Sequence, residues 1–408
     1  MTGDAEGWVV MWDLFTKRAV AVWRPHSSAI LVLKNWGDEK IVTHGRDNSL
    51  KVWQIRPTDE QSLSTCLPTE SIETSRKEPW LLHSLSVNTL NFCAFAMCHQ
   101  QLPDPSTHEN PVLIAVPGTK EAQIDIFQLP SEFHHSRISP PQASTRTGGM
   151  VMCLAISYIN SHLLVASGYE NGQLRIHSQG TSDSSSWTLI QTTTSHTQPL
   201  LSLSISPSLG HIYTSGADGI ISRHLIPPTL TTSPQKIAAT TETPASEPKI
   251  LQTKHSGQQS LTLRSDGKIF ATAGWDARIR VYSTKTMREL AVLKWHKEGC
   301  YAVDFAEILA IKNPQEADGR QLGLSGAEND GHRDVEAEGG EQHSAHKVSA
   351  NGQHLERARS SQPVAAPKLN TPSTSMATLQ RQREDKVQNT HWLAAGSKDG
   401  KVSLWEIY

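Results

Sequence analysis

The chain has 408 residues, of which 37% are hydrophobic and 19% are charged, and its formal net charge is −2. This balance is typical of a soluble globular protein and excludes a nucleic-acid binder that relies on bulk positive charge, so we expect no direct nucleic-acid binding. No apolar run approaches the ~18 residues of a membrane span, and the N-terminus lacks the pattern of a signal peptide, so we expect no membrane contact.

The first residues, MTGDAEGWVVMWDL, have the pattern of a glycine-acid turn followed by a β-strand that ends in Trp-Asp. A fuller copy of this pattern follows in KIVTHGRDNSLKVWQI at 40–55. There a polar turn at Asp47 leads into period-two alternation, with Leu50 and Val52 on one side of a strand. The second stretch therefore predicts a β-hairpin.

The hairpin pattern recurs along the chain. Further copies run at 163–177, 211–224, 269–282 and 392–407, and a weaker copy without the turn acid runs at 112–127. Several turns contain Asp-Gly or Asn-Gly, which suit hairpins because both central residues need positive φ. A hairpin that recurs in this way predicts a repeat architecture.

Most copies carry polar residues at fixed distances from the turn acid. A Ser or Thr often stands four residues before the acid, a ring side chain stands six residues after it, and a His lies further upstream. The sets that we predict to form networks are His26, Thr43, Asp47 and Trp53; His196, Thr214, Asp218 and His224; His255, Thr272, Asp276 and Tyr282; and His296, Asp399 and Trp405. The last set has Ala395 where the hydroxyl belongs.

These sets resemble the His–Ser/Thr–Asp–Trp set of a WD-repeat blade. The acid accepts from the His, the His bonds the hydroxyl, and the hydroxyl accepts from the indole N–H, so the polar chain can be buried with every donor paired. The step from Trp12 to Trp53 is 41 residues, within the ~40–45 residues of such repeats. The alternative, that these residues are catalytic, is disfavoured because repetition along a chain indicates a structural role.

The repeats predict an all-β fold, a seven-bladed WD-repeat (WD40) β-propeller that forms one domain, with a first blade that is incomplete at the N-terminus. Thr2 and Trp12 are spaced like Thr43 and Trp53, which places a turn and a third strand at the start. Two strands of the first blade and the outer strand of the last are missing, so we expect the sequence to begin internally. The blades are expected at about 1–25, 26–84, 85–146, 147–195, 196–254, 255–295 and 296–408.

Several inserts interrupt the blades. Residues 56–79, 130–147 and 227–248 are polar or rich in Pro, Ser and Thr, which predicts surface loops. Residues 312–389 are rich in Gly, Gln, Ser and charge, so we expect disorder. The four histidines of this insert are irregularly spaced, which favours solvated side chains over a metal site: His332, His343, His346 and His354. The five cysteines form no zinc-ligand spacing either, and we expect no metal and no cofactor.

Catalytic motifs are scarce. The chain has no nucleophile elbow, P-loop or paired-carboxylate motif. The docking motif of ubiquitin-ligase substrate receptors, Trp-Asp-x-Arg at the end of a third strand, is matched at 275–278. There, however, Asp276 is the turn acid, and WDLF, WQIR and WEIY at the correct place do not complete the motif. A substrate receptor is therefore the alternative function, and a propeller enzyme is a third.

Two segments carry a more specific resemblance. PWLLHSLSVNTLNFCAFA at 79–96, and IFATAGWDARIRVYSTKTMRELAVLKWHKEGCYAVDFA at 269–306, closely resemble the fungal ASTRA-associated WD-repeat family and, more distantly, the animal G-protein-β-subunit-like WD proteins. The resemblance implies a non-catalytic nuclear scaffold subunit of the ASTRA complex, linked to chromatin remodelling and to maturation of phosphatidylinositol-kinase-related kinases. The implied partners are a kinase-like scaffold protein, AAA+ ATPases and a cochaperone trimer.

Partner contacts are expected at unusual residues outside the networks. Trp80 follows a Pro-terminated loop and either packs in the core, which is the favoured interpretation, or anchors a partner. Lys297 and Glu298 lie at a blade-to-blade connection, on the propeller face where partners often dock. We expect His296 beside them to be structural, and Lys297 and Glu298 to be free to contact a partner.

Overall fold

The structure, a computed structural model, describes residues 1–70, 76–89, 92–101, 110–140, 148–180, 186–227, 230, 247–308 and 376–407. It confirms the all-β prediction, because seven antiparallel sheets follow one another as the blades of a β-propeller. The chain divides into two compact units. All seven sheets belong to the unit formed by Met1–Leu309 and Arg383–Tyr408, and the other unit is Ala310–Gln382.

Each blade is a sheet whose strands pair antiparallel in chain order. The first two blades consist of β1 (Thr2–Gly3), β2 (Val9–Asp13) and β3 (Arg18–Trp23); and of β4 (Ile30–Trp36), β5 (Lys40–Gly45), β6 (Ser49–Gln54) and β7 (Trp80–Ser86). Blades three and four consist of β8 (Ala96–His99), β9 (Val112–Pro117), β10 (Ile124–Leu129) and β11 (Phe133–Ile138); and of β12 (Val151–Ile159), β13 (His162–Tyr169), β14 (Gln173–Gln179) and β15 (Trp187–Thr194). Blades five to seven consist of β16 (Leu200–Ile205), β17 (His211–Gly216), β18 (Ile220–Leu225) and β19 (Lys249–Gln252); of β20 (Gln258–Leu263), β21 (Ile269–Gly274), β22 (Ile279–Ser283) and β23 (Glu289–Leu293); and of β24 (Cys300–Phe305), β25 (Trp392–Ser397) and β26 (Val402–Glu406).

One strand assignment and one blade limit differ from the expected ones. Thr2 pairs with Val10 and Gly3 with Val9, so residues that the sequence placed in a turn already form a strand, β1. Strand β7 ends at Ser86, two residues beyond the expected limit of its blade at 84. Both differences are small because the turn acids fix the centre of each hairpin better than its ends.

The apolar core lies between neighbouring blades. Period-two alternation gives each strand an apolar face, and the innermost strands of adjacent blades pack side by side, as β20 does with β24. Between blades six and seven, Ile279 and Leu393 are fully buried, and Phe305 packs in the same cluster. Adjacent blades therefore stabilise each other by covering apolar surface that a single sheet would expose.

The insert that follows β6 is more than the surface loop that its composition predicts. It begins with the short helix α1 (Pro57–Glu60) and then contacts blade one. The backbone N–H of Val22 in β3 donates to the carbonyl oxygen of Ser64 at 2.8 Å. The Leu63 side chain is buried in a cluster with Val9 and Trp23. This segment covers part of a strand edge whose backbone groups would otherwise be open.

The long insert before β25 ends in a helix, which corrects the prediction of disorder up to 389. Helix α2 (Met376–Asn389) has 14 residues and contains three Gln, two Arg and one each of Met, Ala, Leu, Glu and Lys, which all favour helices, and this local preference explains the difference. Residues 312–375, with the four irregularly spaced histidines, lie outside the described residues. Among the described helices, none combines the length and the apolar character that crossing a bilayer demands.

Candidate functional site: blade networks and exposed contacts

The structure brings together the four polar residues of blade two. His26 lies in the connection from β3 to β4, and Asp47 lies in the turn from β5 to β6. His26 Nδ1 lies 2.9 Å from Asp47 Oδ1 and its Nε2 lies 2.7 Å from Thr43 Oγ1, while Trp53 Nε1 donates to Thr43 Oγ1 at 3.0 Å. Because a carboxylate only accepts, His26 Nδ1 carries the proton, and Nε2 accepts from the threonine hydroxyl.

Burial and hydrogen bonding set the charges of this network. Burial lowers the pKa of His26, and the hydrogen bond to Asp47 opposes this only in part. Burial alone would raise the pKa of Asp47, but hydrogen bonds from Ser49, from the Ser27 N–H and from His26 lower it to about 2. A neutral imidazole therefore donates to an ionised carboxylate at neutral pH, which is the state that the hydrogen bonds require.

Blade five has the same network with a second imidazole in place of the indole. His196 Nδ1 lies 2.9 Å from Asp218 Oδ1, and its Nε2 lies 2.9 Å from Thr214 Oγ1. His224 Nε2 lies 3.0 Å from the same hydroxyl oxygen and donates to it, since the hydroxyl proton goes to His196. Burial lowers the pKa of His224 to about 3, so this ring is neutral at physiological pH.

Blade six departs from the predicted set at His255. The His255 side chain is 44% exposed, and its Nδ1 lies 3.8 Å from Asp276 Oδ2, too far for a hydrogen bond. The Thr272 hydroxyl instead donates to Gln258 Oε1 at 2.7 Å, and Arg280 Nη2 donates to Asp276 Oδ2 at 2.6 Å. The assignment of His255 to the network is therefore wrong, because Arg280 already neutralises the turn acid.

Tyr282 occupies the aromatic position of blade six without closing a polar chain. Its hydroxyl makes no hydrogen bond of ordinary geometry with a described residue. The ring stacks on Phe270 with the centroids 5.0 Å apart, and burial raises the pKa of Tyr282 to about 12. This aromatic ring therefore contributes apolar packing, and the polar part of the blade depends on the Arg280–Asp276 pair.

In blades four and six, which lack a hydrogen-bonded network histidine, an arginine stands four residues after the turn residue. In blade four the turn residue is Asn171, and the arginine is Arg175. Arg175 is buried, its Nη2 donates to Gln173 Oε1 at 3.0 Å, and its guanidinium carbon lies 4.5 Å from the centroid of the Tyr169 ring. Arg280 has the same position in blade six. The arginine position is visible in the sequence, but the spacing pattern took in only the His, the Ser or Thr, the turn acid and the ring side chain.

Blade seven obtains its hydroxyl from a different strand. Ser403 in β26 lies opposite Ala395 in β25. The Ser403 hydroxyl lies 2.8 Å from His296 Nε2 and accepts from Trp405 Nε1 at 2.9 Å, while His296 Nδ1 lies 3.6 Å from Asp399 Oδ1. Sequence reasoning missed Ser403, although a small hydroxyl residue at the cross-strand position of Ala395 was the available signal.

The networks are suited to holding sheets together. The side chains of His26, His196 and His296 are fully buried, and each bonds a hydroxyl within its own blade. Both ring nitrogens of His26 and His196 are therefore occupied by protein partners, and so is Nε2 of His296. In the part of the chain that the structure describes, no three His, Cys, Asp or Glu side chains are grouped so that they could hold a metal ion.

Trp80 lies on the surface, which corrects the favoured interpretation that it packs in the core. The residue is 72% exposed. The next residue in β7, Leu81, is 44% exposed, and Phe133 in β11 of the next blade is 61% exposed. His83 Nδ1 lies 2.9 Å from Glu132 Oε1, which ties β7 to the turn before β11. We call Trp80, Leu81 and Phe133 the outer patch, because they lie on the outer strands of two adjacent blades.

Lys297 and Glu298 are both exposed in the connection between β23 and β24. The carbonyl oxygen of Glu298 accepts from the Ser397 hydroxyl at 3.1 Å, so the backbone is fixed to blade seven while the two charged side chains face solvent. The neighbouring His296 is 4% exposed and belongs to the blade network. The WDAR stretch, 275–278, forms the turn between β21 and β22, away from a third-strand end.

Comparison with known proteins adds a family to this geometry. Residues 1–307 match the family described as ASTRA-associated protein 1, and residues 385–406 match the WD domain, G-beta repeat. A protein of Penicillium rubens named ASTRA-associated protein 1 is 40% identical, covering 100% of this chain and 92% of its own length. The protein of that name from Verticillium alfalfae is 41% identical and covers 100% and 86%. The solved structure of the computationally designed Ika8 protein aligns with a TM-score of 0.44 and 18% identity over 75% of this chain and 74% of its own, too low to add to the argument.

The two family matches together cover the strands of all seven blades. The family match begins in blade one and ends just after β24, and the WD-repeat match covers β25 and β26. This chain belongs to the ASTRA-associated protein 1 family.

Proposed function

We propose that this protein is a non-catalytic scaffold subunit of the ASTRA complex. The observation that carries the proposal is its family membership, since relatives at 40% and 41% identity over the whole chain bear the name ASTRA-associated protein 1. Within this proposal it acts in the nucleus and contributes to chromatin remodelling and to the maturation of phosphatidylinositol-kinase-related kinases.

The geometry supports binding in preference to catalysis. A propeller by itself serves many functions, so the argument depends on particular side chains. The buried histidines of blades two and five bond the turn aspartates and a threonine, which uses the groups that acid–base chemistry would need. Large apolar side chains such as Trp80 are instead exposed, and exposed apolar patches commonly mark protein–protein contacts.

The proposed partners are a kinase-like scaffold protein, AAA+ ATPases and a cochaperone trimer. Seven sheets that bury their faces against each other form a stiff ring, which presents its surfaces at fixed angles. Such a ring suits a subunit that contacts several others at once. The outer patch and the exposed pair Lys297 and Glu298 are two candidate contact areas that lie on different parts of this surface.

Affinity purification of the full-length protein from its native cells, followed by mass spectrometry, tests the proposal. We expect the kinase-like scaffold or the cochaperone trimer to be recovered, and recovery of neither would contradict the proposal. The variant W80A removes the most exposed indole of the outer patch, whereas L189A removes a 42% exposed leucine from the outer strand of blade four. Loss of subunits with W80A and not with L189A would assign the contact to the outer patch.

A further inference from the structure

We propose that blades six and seven carry a binding surface for an acidic peptide segment of a partner protein. We call it the aromatic–lysine surface, and it consists of Trp275, Trp295, Tyr301, Lys297, Lys398 and Lys401. The inference rests on the proposed function insofar as it assumes that this chain meets other proteins, and it adds the place and the chemistry of one contact.

The three aromatic residues of this surface lie at one end of the two blades. Trp275 is 45% exposed, Trp295 is 52% exposed and Tyr301 is 46% exposed. Gly299 lies between two of them, because a Cβ atom added there would be 3.1 Å from the Trp275 carbonyl oxygen and 3.3 Å from Tyr301 Cε2. Aromatic side chains that remain exposed at close quarters provide apolar contact area that the fold itself does not use.

The indole of Trp275 is held in place although it is exposed. It lies so close to Gly257 that a Cβ atom added there would be 2.1 Å from Trp275 Cε3. Its Nε1 donates to Gln259 Oε1 at 2.9 Å. A ring that is already fixed loses little conformational entropy when a partner covers it, so it is suited to act as an anchor.

Positive charge surrounds these rings. Lys401 Nζ lies 5.9 Å from the centroid of the Trp295 ring, and the backbone N–H of Lys398 donates to the Gly299 carbonyl oxygen at 2.9 Å. The side chains of Lys297, Lys398 and Lys401 are exposed, and none of them forms a salt bridge with another described residue.

The nearby carboxylates leave much of this charge uncompensated. Asp276 is paired with Arg280. Asp399, which accepts the Lys401 backbone N–H at 3.1 Å, interacts electrostatically with His296 and Lys401. Lys297 and Lys398 therefore keep the uncompensated charge. Glu298 is the acid that remains exposed within the surface. Exposed lysines without a salt bridge, on the same surface as exposed aromatic rings, complement a segment that alternates acidic and apolar side chains.

A nucleic acid also combines negative charge with flat rings, but the surface favours a peptide. The whole chain carries a net charge of −2, so a long polyanion gains no attraction from the bulk charge of the protein. Glu298 within the surface would repel a continuous phosphate backbone, whereas a peptide can place an apolar or basic side chain next to it. A peptide probe of about ten residues is about 33 Å long when extended.

Fluorescence anisotropy with the purified full-length protein tests this inference independently of any copurification. The probe is a fluorescein-labelled peptide with the repeat Glu-Glu-Leu, and the control probes are a Lys-Lys-Leu peptide and an oligo(dT) of similar length. The variant K297E/K401E reverses two charges of the surface. The matched control K285E/R288E reverses two charges in and beside the turn between β22 and β23, at the opposite end of blade six.

We expect the Glu-Glu-Leu peptide to bind, and K297E/K401E to weaken its binding by about tenfold or more, whereas K285E/R288E changes it less than about twofold. W275A should also weaken binding, and salt should weaken the wild type strongly at about 1 M, where charges are screened within about 3 Å. Equal weakening by both double variants, no binding by folded wild type, or tighter binding of oligo(dT) would each overturn the inference. Because this test uses purified protein, its failure leaves the proposed function intact.

Discussion

Ser403 lies directly opposite Ala395 in the ladder between β25 and β26, and its hydroxyl fills the place that a threonine of the neighbouring strand fills in blades two and five. The network of blade seven is therefore preserved although one of its expected positions holds alanine. The hydroxyl comes from the other strand of the pair, and both groups that depend on it still find a partner: the indole N–H of Trp405 donates to it, and Nε2 of His296 accepts its proton.

We expect S403A to destabilise the protein by about 1–3 kcal/mol, because it leaves His296 Nε2 and Trp405 Nε1 buried without a partner. Urea denaturation measures this loss. The double variant A395S/S403A returns a hydroxyl to the usual strand and should recover part of the stability. S256A, at an exposed serine, is the control and should be neutral. A neutral S403A would show that the network contributes nothing to blade seven.

Two histidines that look alike in the sequence should differ in energetic importance. H196A leaves Thr214 and Asp218 without their buried partner and should cost about 2–4 kcal/mol of unfolding free energy. H255A removes an exposed imidazole that lies 3.8 Å from Asp276, beyond hydrogen-bond distance, so its effect should stay within about 0.5 kcal/mol. Thermal or urea unfolding of the two variants compares them. Equal losses would place His255 back in the network of blade six.

Acid should destabilise the fold before most carboxylates titrate. Burial lowers the pKa of His44 to about 4, and neither of its ring nitrogens bonds a described residue. An unfolded histidine titrates near 6.5. Between about pH 6.5 and 4, His44 binds a proton in the unfolded chain but stays neutral in the folded chain. The part of the unfolding free energy that this difference contributes is fully present above about pH 6.5 and is lost as the pH falls.

For His44 this loss between pH 7 and pH 5 should be about 1–2 kcal/mol. Urea denaturation at the two pH values should show a smaller loss for H44L than for the wild type. H255L, which changes an exposed imidazole, should keep the wild-type difference. An unchanged pH dependence in H44L would mean that His44 binds its proton equally well in the folded and the unfolded chain.

The segment after α1 should be a structural part of blade one. L63A removes a buried side chain from the cluster with Trp23 and should cost about 2–4 kcal/mol. Hydrogen exchange provides a second measurement, because the Val22 amide donates to the Ser64 carbonyl oxygen and should exchange slowly. Rapid exchange of the Val22 amide together with no loss of stability in L63A would mean that this segment is a surface loop that does not stabilise blade one.

The sequence was sufficient to predict the seven blades, because the turn acids and the period-two strands repeat and each copy supports the others. It was also sufficient to select the residues that meet in blades two and five, where the spacing between His26 and Thr43 resembles that between His196 and Thr214. Repetition averages out local irregularity, so a pattern seen several times is informative even when single copies are weak.

The failures occurred where side chains from different strands compete for one partner. His255 has the spacing of a network histidine, but Arg280 is nearer to Asp276, and a guanidinium with two donors binds a carboxylate more tightly. Ser403 was missed because the residue opposite Ala395 depends on the register between β25 and β26. Spacings along the chain do not give this register. The exposure of Trp80 was missed because hydrophobicity alone does not tell an outer strand face from a covered one.

The central claim is that this chain works as a stable subunit of a large assembly. Size-exclusion chromatography of a gentle native-cell extract, with the chain quantified in every fraction, tests it most directly. The account predicts that most of the chain elutes with the kinase-like scaffold, far ahead of the isolated protein, and that it moves to the position of the isolated protein when that scaffold is depleted. Elution of most of the chain alone in the undisturbed extract would contradict the account.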